Sequence, residues 1–321
     1  MKEISIQSIG NVRIGQTENA EAGTGCTVFL CENGMRAGLD IRGGGPASRD
    51  SALLDPLTAA EEIHAIVLAG GSAFGLDAAG GVMRYMEEHG WGFDVGVTKV
   101  PLVVQSDIFD LTVGDMRVRP DAAMGYEAAR RAVEMPNYRD GNYGAGCGAT
   151  VGKINGMGGC MKTGIGSYAV QAGELKVGAV VVLNALGDVY ERKNGRKIAG
   201  LRGDDGKSFL DTVSVMAEKT DMQENKFVGN TCVGVIMTNA FFPKAALCKI
   251  AGMAHDGLAR SVRPVHTSAD GDSIYAVSVG SVLADQDLVG ALSAQVVSAA
   301  ITRAVEGAQA AYGLPCAKDL K

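Results

Sequence analysis

The chain has 321 residues, 46% of them hydrophobic and 21% charged, with a net charge of −6. That length buries a sizeable core without disulfides or metal, and the acidic balance excludes the basic face that a nucleic-acid partner requires. Glycine stands out at 45 residues; this is about twice its usual share of roughly 7%, and because it interleaves with apolar runs it reads as tight turns and close backbone approaches.

The opening Met1-Lys2-Glu3-Ile4 lacks the charged-then-apolar pattern of a signal peptide. Leu288–Ile301, interrupted by Ser293, Gln295 and Ser298, comes nearest to a membrane span and falls short of one. With seven cysteines, an odd number, these features give the expectation of a cytoplasmic protein with reduced thiols and no membrane partner. Cys26 and Cys31 have four residues between them, no C-x-x-C occurs, and the four histidines (His64, His89, His255, His266) are scattered. No metal or organic cofactor is expected, so the cysteines read as buried thiols and the histidines as surface imidazoles.

Strand-like runs of β-branched and apolar residues fall at Cys26–Leu30, Ala65–Leu68, Val100–Val104, Val177–Leu183, Val233–Met237 and Ile274–Val279. Helical periodicity marks Ala73–Glu88, with Gly90 as its C-terminal cap, then Ala122–Glu134, Phe209–Glu218, Lys244–Arg260 and Asp285–Ala311. Glu32-Asn33-Gly34 predicts a hairpin between Cys26–Leu30 and Arg36–Ile41. Antiparallel pairing combined with helices implies an α+β fold of sheets covered by helices, in a single domain. Residues 192–226 are dense in charge and read as an exposed excursion carrying one amphipathic helix; Arg202-Gly203-Asp204 within it is a loop.

Two glycine-rich stretches invite a nucleotide reading. "LAGGSAFGLDAAGG" (68–81) follows a strand and opens a helix, but it lacks G-x-G-x-x-G spacing and a closing Gly-Lys-Ser/Thr. "GAGCGATVGK" (144–153) ends in Gly-Lys without the magnesium-binding hydroxyl. Both fit better as close strand packing or as backbone N–H groups lining a small oxyanion pocket.

"VGNTCVGVIMTNA" (228–240) enters a strand through Asn230-Thr231-Cys232. A threonine hydroxyl is a weak nucleophile without a base in reach. If the chain is cut before Thr231, the freed α-amino group supplies that base, with a reference pKa of about 7.7–8.0. The plain alternative is a structural threonine at a strand entrance. "HTSADGDSIYAVSVG" (266–280) sets Asp270 and Asp272 two apart before another strand. In extended backbone both carboxylates share a face, suited to holding an ammonium; Asp-Gly pairs are also ordinary turn elements.

Taken together, "IRGGGPASR" (41–49), "IVLAGGSAFGLDAAGGVMRYMEEHGWGF" (66–93), "FDLTVGD" (109–115), "GAGCGATVGK", "VVVLNALGDV" (180–189), "GNTCVGVIMTNA" (229–240) and "HTSADGDSIYAVSVG" resemble the self-cleaving aminopeptidases. That family includes L-aminopeptidase/D-esterases, β-peptidyl aminopeptidases and nylon-oligomer hydrolases, and the motifs cover nearly the whole chain in family order. The resemblance implies a four-layer α/β/β/α sandwich of N-terminal-nucleophile type, cut into 1–230 and 231–321. Thr231 is then the nucleophile of both autocleavage, at the Asn230–Thr231 bond, and catalysis. Asn184 donates its side-chain amide to the oxyanion, Lys153 adds positive potential, and Asp270 and Asp272 hold the Thr231 ammonium, as in the Thr/Asp/Asp subgroup.

Cys232 stands where many relatives carry a small or hydroxyl residue, and strand alternation turns it away from the groove that Thr231 faces. Some relatives place a Tyr hydroxyl where this chain has Phe109, so that contribution is absent or comes from Tyr143. Asn239 is a further candidate contact in the groove. The resemblance implies a small peptide or amide substrate with a free amine, and a homotetramer or higher assembly. Two other readings remain at this point: an acyltransferase resembling ornithine acetyltransferase, and a binding protein that is never cut.

Overall fold

The computed structural model describes residues 1–219 and 230–320. The end of the charged excursion, from 220 onward, and the Val228-Gly229 entry to the junction lie outside the described residues. The strands of the two large sheets are β1 (Lys2–Ile4), β2 (Arg13–Asn19), β3 (Thr24–Ile41), β4 (Ala47–Arg49), β5 (Ile63–Ala69), β6 (Val103–Asp107), β7 (Ile165–Ala172), β8 (Leu175–Val182), β9 (Val233–Ala240) and β10 (Ser273–Val282). The helices are α1 (Ala78–Glu88), α2 (Ala122–Glu134), α3 (Thr212–Glu218), α4 (Lys244–Ser261) and α5 (Gln286–Gly307).

One sheet runs β1-β7-β8-β9-β10 and ends on the second half of β3; the other joins β2 to the first half of β3, then β5, β6 and β4. The predicted hairpin at Glu32-Asn33-Gly34 does not form. The segment continues as one 18-residue strand. Gly34, at φ 82°, supplies a conformation open to glycine, and the pairing with β5 shifts register between Leu30 and Met35. The turn-like composition therefore bends the strand instead of reversing it, and the bend hands β3 from one sheet to the other.

Alternation along the strands builds three cores. Val180 and Val182 of β8, Val233 and Val235 of β9, and Tyr275 of β10 meet Phe29, Ile66 and Val104 between the sheets. The opposite faces, with Val177, Ala179, Val181 and Ile236, pack on Leu247, Ile250, Val296 and Ile301 of α4 and α5. Val28, Leu30 and Val67 pack on Val82, Met86 and Ala129 of α1 and α2. The layers thus run α/β/β/α, the predicted four-layer sandwich. Helix α5 is apolar and long enough to cross a membrane by length and composition; Val289, Val296, Val297, Ile301 and Ala304 bury it in the core instead.

The helices follow their periodicity closely. Residues 122–134 form α2 as predicted, its N-terminus capped by Asp121, whose side chain accepts the Met124 N–H. The first predicted helix divides into a 3₁₀ turn, Ser72–Asp77, and α1, and Gly90 follows it at φ 70°.

Glycine sets how close α4 lies to the sheet. A Cβ on Gly38 would land on the Leu247–Cys248 peptide of α4. Gly38→Ala should therefore lower stability by about 1–3 kcal/mol, the usual cost of overpacking, read as a shift in the urea midpoint at unchanged m-value.

Candidate active site

Strand pairing brings the candidate residues to one edge. β9 and β10 are parallel, with Val233 opposite Ser273, so Thr231-Cys232 and Asp270-Gly271-Asp272 enter the sheet side by side. β8 runs antiparallel to β9, with Val182 opposite Val233, and so delivers Asn184 to the same edge as it leaves the sheet. β3 ends there too, Ile41 facing Ser273, and continues into Arg42-Gly43-Gly44-Gly45.

Thr231 is buried, 4% exposed. Its N–H donates to the Asn184 carbonyl at 2.7 Å, and its hydroxyl contacts the carbonyl oxygen of Asn230. Gly271 lies directly beneath the hydroxyl, since a Cβ there would sit 2.8 Å from Thr231 Oγ1. Cys232 faces the α4/α5 core, and burial, with the charge of Asp272, pushes its thiol up.

The Asn184 side chain is held at both ends. Its Oδ1 accepts from Lys153 Nζ at 2.6 Å and from the Thr150 N–H at 3.0 Å, while Nδ2 donates to the Phe109 carbonyl at 3.0 Å. Donors converging on one end and an acceptor on the other fix which way the amide points. Phe109 thus enters the site through its backbone. Lys153 is buried, and desolvation pulls its ammonium down to about 8.

The two aspartates are placed differently. Asp272 Oδ1 accepts the Cys232 N–H at 2.7 Å, and Oδ2 accepts the N–H and Nδ1 of His266 at 3.1 and 2.8 Å. Asp270 Oδ2 closes a turn on Thr267, accepting its N–H at 2.7 Å and its hydroxyl at 2.6 Å. Asp270 is therefore the turn element that an Asp-Gly pair also suggests. Burial, then the neighbouring Asp272 charge, push Asp270 up to about 6. In the continuous chain it is the Asn184 carbonyl that receives the Thr231 N–H, and the acidic pair touches residue 231 through Gly271 and Cys232.

One pocket candidate lies elsewhere. Asn239 sits toward the far end of β9, its amide bonded to the Lys176 N–H and the Glu174 carbonyl, so it closes the β7–β8 hairpin. Tyr143 packs under the Arg139 guanidinium, 3.8 Å from the ring centroid. Among the described residues, no group of three or more His, Cys, Asp or Glu is placed to hold a metal.

Three parts of the site escaped the sequence reading. His266 is no surface imidazole, because it grips Asp272. Gly43 and Gly44 lie where side chains would strike the backbone of Asp270, Asp272 and Ser268, and the Gly45 N–H donates to the Asp270 carbonyl at 2.8 Å. Lys162 is buried, donates to the carbonyls of Gly146 and Ala149 at 3.2 and 3.1 Å, and is drawn down to about 7 by desolvation. It clamps the loop that presents Thr150 and Lys153.

A match to peptidase family S58 spans residues 5–315. The chain belongs to peptidase family S58. It is 35% identical, over an alignment 340 positions long, to an uncharacterised aminopeptidase of Mycobacterium leprae, covering 97% of this chain and 92% of that one. It is 30% identical to the 6-aminohexanoate-oligomer endohydrolase of Kocuria sp., over 84% and 74% of the two chains. Among solved structures, the L-aminopeptidase D-Ala-esterase/amidase of Ochrobactrum anthropi, described as a variant of the Ntn-hydrolase fold, superposes with a TM-score of 0.69 at 16% identity. The match covers 94% of this chain and 86% of that one. The β-aminopeptidase of Burkholderia sp. gives a TM-score of 0.63 at 19% identity, over 94% and 85%. This S58 chain is accordingly a hydrolase of peptide or amide bonds with the Ntn-hydrolase fold.

The raised Asp270 has a consequence for stability. Its carboxyl titrates near 3.8 when unfolded and about 6 when folded, so between these values the native state holds more protons and stability falls as pH rises. Asp270→Asn keeps an acceptor for Thr267 and removes that loss. The variant should be the more stable protein at pH 7, with a flatter dependence between pH 4 and 6, in urea titrations across that range.

Proposed function

We propose that this chain cuts itself between Asn230 and Thr231 and then uses Thr231 as an N-terminal nucleophile on amides or esters of small amino-acyl or short peptide substrates. The observation that carries this is the position of Thr231: its hydroxyl lies against the Asn230 carbonyl while its nitrogen is held by Asn184. Relatives named as an aminopeptidase and as 6-aminohexanoate-oligomer endohydrolases support the substrate class.

In the self-cleavage, Thr231 Oγ1 attacks the Asn230 carbonyl carbon. The C–N bond breaks, the hydroxyl proton passes to the nitrogen, and an ester links Asn230 to Oγ1. Water hydrolyses that ester, leaving a carboxylate at Asn230 and a free amine on Thr231.

In turnover the amine takes the hydroxyl proton as Oγ1 attacks the substrate carbonyl. Asn184 Nδ2 supplies an N–H to the oxyanion, and Lys153, bonded to the other end of the same amide, adds positive charge in a buried setting where it acts strongly. The leaving amine departs with the proton, and water releases the acid from acyl-Thr231. Asp270 and Asp272 supply the negative potential that holds the Thr231 ammonium between turnovers.

Intact-mass measurement tests the cut. The wild-type protein should give fragments 1–230 and 231–321, Cys232→Ala should still divide, and Thr231→Ala should stay whole and inactive. A wild-type chain that stays whole while fully active would overturn the proposal. Asn184→Ala, assayed per cut chain, should lose about 10²–10³ in kcat, the usual cost of removing an oxyanion donor.

A further inference from the structure

His266 is a half-buried imidazole bonded to Asp272 that the steps above do not use. It adopts φ 58°, a left-handed conformation that His, Asn and Asp enter more readily than other non-glycine residues. There it points both its backbone N–H and Nδ1 at one oxygen of Asp272, at 3.1 and 2.8 Å. Asp272 accepts hydrogen bonds only, so Nδ1 must carry the proton, and in the neutral ring Nε2 is bare. Nε2 is buried with no hydrogen-bond partner among the described residues, which fits that tautomer.

The surroundings hold the ring in place. It lies edge-on to His255 of α4, centroids 4.8 Å apart at 70°. His255 is itself buried, meets the Asp40 carbonyl at 3.0 Å, and is pulled by burial down to about 4, so it faces His266 as a neutral ring. Asp40 is bonded to Arg42 at 2.8 Å, and Arg42 donates to the Gly252 carbonyl at 2.7 Å. Among the described residues, the charged and titratable groups facing His266 are thus Asp270 and Asp272 on its own segment and His255 from α4, with Asp40 and Arg42, from β3 and its end, behind His255.

We propose that His266 is a positioning residue for the N-terminal nucleophile: it pins Asp272 so that Oδ1 holds the Cys232 amide, and the Cys232 peptide in turn places Thr231. This rests on the Thr231 reading above. Before the cut, residue 231 is tethered through both neighbours. After it, Cys232 is the sole covalent anchor, and the Asp272 bond to the Cys232 N–H at 2.7 Å restrains the new chain end alongside the Asn184 carbonyl that meets the Thr231 nitrogen. Loss of His266 therefore weakens turnover more than self-cleavage.

The test compares His266→Ala with His266→Asn, whose Nδ2 reproduces the Nδ1 donor and whose backbone tolerates the left-handed conformation. His266→Ala should still divide, and its kcat should fall about 10- to 100-fold, the range typical of partners that orient a ligand. KM should stay within about twofold, as expected when ground-state binding is untouched. His266→Asn should recover most of kcat. Nitrogen-15 NMR of the wild-type protein, with the signal assigned from its loss in His266→Asn, should show the Nδ1–H tautomer.

Wild-type kcat in His266→Ala, equal losses in both variants with a matching drop in Tm, or an Nε2–H tautomer would each overturn the proposal. Thr231→Ala separates the two levels. If it keeps activity, the nucleophile reading fails and this proposal falls with it. If it abolishes activity while His266→Ala is unaffected, only the positioning role is lost.

Discussion

The parallel register of β9 and β10 is the constraint on which the site depends. Val233 opposite Ser273 puts the approach to both strands at one edge, so that the Gly271 backbone meets the Thr231 hydroxyl and Asp272 meets the Cys232 amide. A one-residue slip would turn Thr231 toward the helices and Cys232 toward the groove, because side chains alternate with a period of two. The cores on both faces of β9 oppose that slip: Val233, Val235 and Met237 fill the space between the sheets, while Ile236 and Cys232 pack on α4 and α5.

The same edge concentrates charge where water is excluded. Desolvation draws Lys153 and Lys162 down and Asp270 up, so each sits closer to its neutral form than an exposed counterpart. Burial of this kind costs stability unless every group is bonded, and the backbone supplies many of the bonds. Lys162 takes loop carbonyls, Asp272 takes amides, and Gly43–Gly45 bring β3's continuation close enough to hold Asp270. The high glycine content is in part the means by which main chain replaces side chain around the site.

Much of this was legible in the sequence where local chemistry and final placement agree. Helix α2 follows from its periodicity and its Asp cap, and the central strands follow from β-branched runs buried on both faces. The cluster of Thr231, Asn184, Lys153, Asp270 and Asp272 was legible as a set of motifs, although only the strand order shows that their ends converge. The misreadings have physical reasons. Glu32-Asn33-Gly34 has hairpin composition, but β3 has partners in both sheets, so tertiary pairing turns a reversal into a bend. Asn239 lies near the far end of β9, whereas Thr231 stands two residues before the strand begins. His266 carries no signal in the sequence because its ring meets no nucleophile and instead bonds a carboxylate six residues further along the chain.

The central claim is that residue 231 is a chain terminus that carries the acyl group during turnover. Mass spectrometry of the small fragment, quenched in acid while an ester substrate is being hydrolysed, tests it directly. A fraction of the 231–321 fragment heavier by one acyl group, with the adduct mapped to Thr231, is the expected result. An adduct on Cys232, or full turnover on a chain that begins nowhere near Thr231, would contradict it.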